Sequence, residues 1–115
     1  MEISKLKKLV VDTLNLNKAE KIVSIDLKGK TYIADYMIVA SGTSSRHLQA
    51  LAEILLTELK KSGLNDCRME GRESKDWKLV DTNDIIVHIF HPEKREFYDL
   101  EKMWSEEIPK EKATV

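Results

Sequence analysis

The spacing of apolar residues predicts two amphipathic helices in the first half of the chain. In each, apolar side chains recur every three or four positions, with charged side chains between them. The two stripes are Ile3, Leu6, Leu9, Val10 and Leu14, and Leu48, Leu51, Ala52, Leu55, Leu56 and Leu59. Thr43 or Ser44 is expected to cap the second helix, because a short side-chain oxygen accepts a hydrogen bond from a free backbone N–H. Gly63 is expected to end it.

Runs rich in β-branched residues predict the strands of a sheet. Their ranges are 22–27, 35–40, 77–81 and 85–90, and residues 64–71 form a short strand at best. The last run is apolar on both faces, so both faces are expected to be covered. It pairs as a hairpin with 77–81 through a turn at Asp81-Thr82-Asn83-Asp84, since Asn tolerates positive φ.

Between these elements the sequence predicts turns and loops. Residues 28–30 turn the chain, and 31–33 either extend that turn or form a short edge strand. Residues 15–18 and 72–76 are expected to be loops. Phe97, Leu100 and Trp104 recur at helical spacing and predict a terminal helical segment.

The order of these elements predicts an α/β domain. One mixed sheet of four or five strands would carry helices mainly on one face. We expect a single domain over residues 1–105 and a flexible C-terminal tail over 106–115.

Composition limits the classes of function that are consistent with the chain. The formal net charge is −1, so no overall basic excess favours nucleic acid, and no apolar run is long enough to span a membrane. The N-terminus lacks the pattern of a signal peptide. A single cysteine, Cys67, excludes an internal disulfide. These features predict a cytoplasmic protein.

Four candidate chemical sites are weak. The turn at residues 41–45, SGTSS, precedes a helix and so has free N–H groups for an anion, but it matches no phosphate-binding motif. A nucleotidyltransferase would need an Asp-x-Asp pair on a following strand, and none is found.

His88, His91 and Cys67 do not converge as zinc ligands do, because an offset of three along a strand points two rings to opposite faces. His47 beside Ser44 has no acid to orient it. The sequence thus predicts no cofactor, metal or catalytic residue.

Aromatic residues concentrate in the last third of the chain. Phe90 and Phe97 are expected in the core. Trp77, Tyr98 and Trp104 are equally consistent with core packing and with anchoring a partner, since Trp and Tyr bury large areas at interfaces. Together with Leu79, these three leave more apolar surface than the chain can cover, which favours a partner site.

The motifs DYMIVASGTSSRHLQALAE, DW, DIIVH and YDLEKMW, together with the amphipathic N-terminal helix, carry a resemblance to a known family. From about residue 3 to residue 105 the sequence resembles the bacterial ribosomal silencing factors of the Iojap family. This resemblance implies an α/β fold similar to nucleotidyltransferases but without their catalytic acids. It implies a non-enzymatic translational repressor that binds protein L-fourteen of the large ribosomal subunit and sterically blocks joining of the small subunit.

The resemblance also implies a set of binding residues. The anchors would be Trp77, Tyr98, Leu100 and Trp104, and the rim contacts Glu70, Lys78, Asp81 and Lys102. A minor contact with ribosomal RNA and a homodimer of the free protein are left open. So are two alternative functions, a large-subunit assembly factor at the same site and a nucleotide-binding transferase. Relatives have an apolar residue and glycine where this chain has Thr82 and Asn83, so a contact at Thr82 would be weaker.

Overall fold

A computed structural model describes residues 1–93 as two helices and five strands. In chain order these are α1 (Ile3–Leu16), β1 (Glu20–Asp26), β2 (Tyr36–Ser41), α2 (Ser45–Lys61), β3 (Arg68–Glu70), β4 (Trp77–Asp81) and β5 (Ile85–Phe90). The predicted terminal helix beyond residue 93 and the predicted tail lie outside the described residues. Neither described helix has the length and apolar character needed to cross a membrane.

The five strands form one mixed sheet in the order β1-β2-β5-β4-β3. β2 and β5 run parallel at its centre, and the other neighbouring strands pair antiparallel. A parallel pair needs a crossover, and α2 lies on the connection between these two strands. The predicted mixed α/β sheet is therefore confirmed, with five strands.

Both described helices pack on the same face of this sheet. Their predicted stripes are buried with the inward residues of the central strands, and Ile38, Val87 and Ile89 are fully covered. Substituting a residue of this core by alanine would cost about 2–5 kcal/mol. The opposite face has its own apolar cluster, which includes Met37, Val39 and Phe90. Residues 85–90 contribute to both clusters, which explains why that strand shows no alternation in sequence.

The ends of α2 follow the sequence prediction. Ser44 is the N-cap, and its hydroxyl accepts a hydrogen bond from the backbone N–H of His47 at 3.1 Å. Gly63 follows the helix with φ of +99°. The N–H groups of Gly63 and Leu64 donate to the carbonyls of Lys60 and Leu59 respectively, which is the Schellman arrangement that a glycine at this position permits.

Two boundaries differ from the prediction. The loop expected at 15–18 is shorter, since α1 continues to Leu16 and β1 already begins at Glu20. The chain makes this tight change of direction with positive φ at Lys18 and Lys21 and an irregular register in β1. Residues 31–33 adopt the first of their two predicted alternatives, because they extend the turn between β1 and β2 and form no strand.

Candidate partner-binding face

Strand alternation places Trp77, Leu79 and Asp81 together on the sheet face opposite the helices. Successive side chains of a strand point to opposite faces, and in β4 the residues between these three, Lys78 and Val80, are buried under the helices. We call the surface around Trp77, Leu79, Asp81 and the neighbouring Glu70 the partner-binding face. Among the described residues, neither helix covers it.

Trp77 is held in place by its cross-strand neighbours. Its indole Nε1–H donates to Nδ1 of His88 at 3.0 Å. The His88 ring in turn lies parallel to that of Phe90, with ring centroids 5.7 Å apart. Because Nδ1 accepts this hydrogen bond, a neutral His88 carries its proton on Nε2. A partly buried tryptophan with a fixed orientation is the kind of side chain that anchors protein interfaces.

Burial keeps His88 in the form that this contact requires. Removal of the ring from water lowers the pKa of His88 to about 4. The ring is therefore neutral at physiological pH, and Nδ1 stays available as an acceptor. The sequence patterns rejected His88 as a zinc ligand but did not link it to Trp77. The pairing of β4 with β5, which places His88 opposite Leu79, supplies that link.

Lys78 is not at the rim of this face, and that prediction is corrected. Its side chain is 2% exposed and lies on the helix side of the sheet. The ammonium donates to the carbonyls of Gly71, Arg72 and Ser74 at 2.6–2.8 Å. Three donors thus have three acceptors, which is how a buried ammonium without a carboxylate partner is accommodated. Lys78 organises the loop at residues 71–76 from within.

The same loop sets the position of Trp77. The Ser74 hydroxyl accepts hydrogen bonds from the backbone N–H groups of Asp76 and Trp77, both at 3.2 Å. Gly71 has φ of +78°, and a Cβ there would lie 2.7 Å from the Trp77 carbonyl oxygen and 2.8 Å from its ring. Glycine is therefore required for this close approach. Residues 72–76 are a loop, as predicted, but a firmly fixed one.

Glu70 and Asp81 carry the acidic charge of the face. Glu70 is exposed on the edge strand β3, opposite Leu79. Asp81 lies opposite Arg68, and its carboxylate is 3.4 Å from the Arg68 guanidinium. Arg68 was not identified from the sequence, because three residues of edge strand give too short a pattern to assign faces. The face thus has an aromatic centre and a mixed-charge edge.

The turn at one end of the face is a compact hydrogen-bonded unit. The Asp81 carboxylate accepts from the backbone N–H of Asn83 at 2.8 Å, and Asn83 has φ of 77°, as predicted. Thr82 is 4% exposed, and its hydroxyl bonds both the N–H and the carbonyl of Ile85. The Thr82 hydroxyl therefore closes the turn through these two hydrogen bonds.

The remaining predicted binding residues, Tyr98, Leu100, Lys102 and Trp104, lie outside the described residues. Their role stays a prediction.

The SGTSS turn is occupied by contacts within the chain. The Thr43 backbone N–H donates to Nδ1 of His47 at 2.8 Å, so Nε2 is the donor in the 2.8 Å contact with the Asn17 carbonyl. His47 thus links the start of α2 to the end of α1. A pocket of about 470 Å³ adjoins this turn, lined in part by Lys18 and Arg46. The histidine serves a structural role that requires no nucleophile beside it.

The residues considered for zinc lie apart. Cys67 packs with the cluster on the helix side of the sheet, whereas His88 lies on the opposite face. His91 follows β5, where its ring accepts from the Glu93 N–H at 3.4 Å. Within residues 1–93, no three His, Cys, Asp or Glu side chains converge as metal ligands would.

Comparison with known proteins identifies the family. The family model described as "Ribosomal silencing factor during starvation" matches residues 1–115. A ribosomal silencing factor from Zymomonas mobilis is 48% identical over 86% of this chain and 74% of its own length. The mouse protein named "Mitochondrial assembly of ribosomal large subunit protein 1" is 33% identical over 84% of this chain, a match that covers 44% of the mouse protein.

Solved structures agree with the sequence comparison. A crystal structure of a Chromobacterium violaceum protein superimposes with a TM-score of 0.88 at 38% identity, covering 95% of this chain and 91% of that one. The match thus covers nearly the whole of both chains. This chain belongs to the ribosomal silencing factor family.

Proposed function

We propose that this protein is a translational repressor that binds the large ribosomal subunit through its protein L-fourteen. The observation that carries the proposal is the partner-binding face, where Trp77 is fixed by His88 on the side of the sheet away from both described helices. The names of the relatives support a ribosomal partner. Bound there, the domain would occupy volume that the small subunit needs for joining.

The proposed mechanism requires only that the protein binds the large subunit with sufficient affinity and at the surface where the small subunit joins. A specific interface buries about 800 Å² on each partner, which a domain of this size can supply from one sheet face. Trp77 would be the anchor within the described residues, with Glu70 and Asp81 at the rim. Tyr98, Leu100, Trp104 and Lys102 complete the proposed set. No catalytic step is part of this mechanism.

Sedimentation with purified large subunits tests the proposal. Wild-type protein should pellet with them, and Trp77→Ala should weaken binding by about 2 kcal/mol or more, as truncation of an interface anchor does. Leu16→Ala is the matched control, because Leu16 is 82% exposed at the far end of α1. Thermal melting of each variant verifies the fold. Wild-type protein that stays in the supernatant at low salt would refute the proposal.

A second function, assembly of the large subunit, is favoured by the name of the mouse relative. An assembly factor would use the same face on precursor particles. Sedimentation against precursors and mature subunits separates the two roles. Preference for mature subunits supports repression, and preference for precursors supports assembly.

A further inference from the structure

A second surface combines lysines with tyrosines at the end of the sheet where β2 begins. Lys7 from α1 and Lys28 from the loop after β1 both place their ammonium groups over the ring of Tyr36, at 4.6 and 5.3 Å from its centroid. The two charges therefore lie no farther apart than the sum of these distances. Cation–π attraction holds each of them near the ring.

The adjoining loop presents an aromatic ring to solvent. Tyr32 is fully exposed, with a relative accessibility of 107%, and its neighbour Ile33 is 64% exposed. The ring therefore contributes little to the fold, and its face is available to a partner. We call Lys7, Lys28, Tyr32 and Tyr36 the basic corner.

Lysines outnumber aspartates in the pockets that border this corner, and Asp26 lies opposite Tyr36 on the neighbouring strand. One pocket of about 360 Å³ is lined in part by Lys7 and Tyr36, and another of about 380 Å³ in part by Lys28 and Tyr32. Four lysines and two aspartates are among the residues that line the two pockets. One of the aspartates, Asp12, is paired with Lys8 at 2.8 Å. The chain as a whole has a net charge of −1, so this concentration is local.

From this arrangement we infer that the basic corner binds a single-stranded segment of RNA. Closely spaced ammonium groups match a backbone that carries one negative charge per nucleotide. An exposed tyrosine supplies a platform on which a base stacks, as in other proteins that bind single strands. An acidic peptide would match the lysines but would leave the exposed ring without a planar partner.

The position of the corner fits the proposed function. The identification of this RNA as ribosomal RNA rests on that proposed function. Asn83 lines the same pocket as Lys28 and Tyr32, and its backbone N–H bonds Asp81 of the partner-binding face. Tyr36 packs with the cluster on the helix side of the sheet, so the two surfaces lie on opposite faces, and both reach the end of the sheet at the turn between β4 and β5. A protein seated on the large subunit through the partner-binding face would bring the corner to adjacent ribosomal RNA.

Fluorescence anisotropy with a labelled single-stranded oligoadenylate tests the inference without ribosomes. Lys7→Gln with Lys28→Gln should lower the slope of log affinity against log salt by about 1.4, since each phosphate that the variant no longer neutralises contributes about 0.7 on a single strand. The matched control is Lys18→Gln with Arg46→Gln, which removes the same charge near the other end of β2. Equal reductions in both double variants, or none in the first, would overturn the inference.

The stacking contact has its own pair of variants. Tyr32→Ala should weaken oligoadenylate binding about tenfold. Ile33→Ala, which shortens the neighbouring exposed side chain, should leave binding unchanged. If Tyr32→Ala has no effect, or if polyglutamate of equal charge competes as well as RNA does, the surface is not an RNA site. Because no ribosome is present, this result is independent of whether Trp77→Ala affects sedimentation with large subunits.

Discussion

At the residue scale, His88 links the stability of the fold to pH. Burial lowers its pKa to about 4 in the folded chain, against 6.5 for an exposed imidazole. Above pH 6.5 the ring is neutral in both states. Between pH 6.5 and 4 the unfolded chain binds a proton that the folded chain excludes, so the free energy of unfolding decreases as the pH falls. Lowering the pH from about 7.5 to about 5 should remove about 2 kcal/mol.

Chemical denaturation at several pH values measures this loss, and His88→Asn isolates it from the titration of carboxylates. The Asn side-chain oxygen can accept from Trp77 as Nδ1 does, but it does not bind a proton in this range. The variant should therefore lose less stability than the wild type between the two pH values. Identical pH profiles would show that His88 does not bind a proton on unfolding.

Asn83 gives a second prediction at the same scale. Its φ of 77° is in the left-handed region, which costs a residue with a Cβ about 1 kcal/mol unless its side chain compensates. Asn83→Ala should therefore lower the free energy of unfolding by about 1 kcal/mol, whereas Asn83→Gly should stay within about 0.5 kcal/mol of the wild type. The bond from its backbone N–H to Asp81 is available in both variants. Equal melting temperatures for the two would contradict this account.

At the scale of elements, the loop at residues 71–76 depends on one buried side chain. Lys78→Met keeps the length of the side chain but removes the donors to three carbonyls. We expect a loss of about 2–3 kcal/mol, because acceptors that have lost a charged donor are left poorly paired. Faster hydrogen exchange in the loop should accompany it. Lys60→Met, at an exposed position of α2, is the control, and an equal loss there would refute the role of Lys78.

The same element shows what the sequence does and does not predict. Hydrophobic periodicity identified both helices, the β4–β5 hairpin and the strong strands, because burial of an apolar stripe determines each of them. Lys78 was placed at the rim by the family resemblance, and a buried lysine is seldom expected from sequence because charged residues are seldom buried. Alternation from Trp77 would have placed Lys78 inside, but its carbonyl partners come from loop geometry that no sequence pattern specifies.

The candidate site also contains some features that the sequence predicts and others that it does not. Trp77 was identified from residue type and from the resemblance, and it lies on the sheet face that neither α1 nor α2 covers. Its role in binding stays a prediction. The His88 contact and the Arg68–Asp81 pair depend on strand register across the sheet. Register is fixed by tertiary packing and turn geometry, so these contacts could not be read from separate runs of residues.

At the scale of the whole molecule, the fold assigns different tasks to different surfaces. One sheet face is buried by α1 and α2 and stabilises the domain. The other carries a second apolar cluster and the proposed partner-binding face, and the proposed basic corner lies at the end of the sheet beside the β4–β5 turn. Two contacts on one rigid domain would raise its affinity for a composite surface of protein and RNA, since the second forms without a further loss of translational freedom.

Steric repression makes a prediction about the order of addition. Large subunits first incubated with the protein at about ten times its dissociation constant are roughly nine-tenths occupied, so the yield of whole ribosomes after adding small subunits should fall about tenfold. Protein added to ribosomes that have already joined should have little effect, because the small subunit covers the site. Trp77→Ala should restore joining, and Leu16→Ala should not. Sucrose-gradient profiles measure each case. If the protein binds large subunits yet the yield is the same in both orders, occupation of the joining surface is not the mechanism, and the assembly role becomes the better explanation.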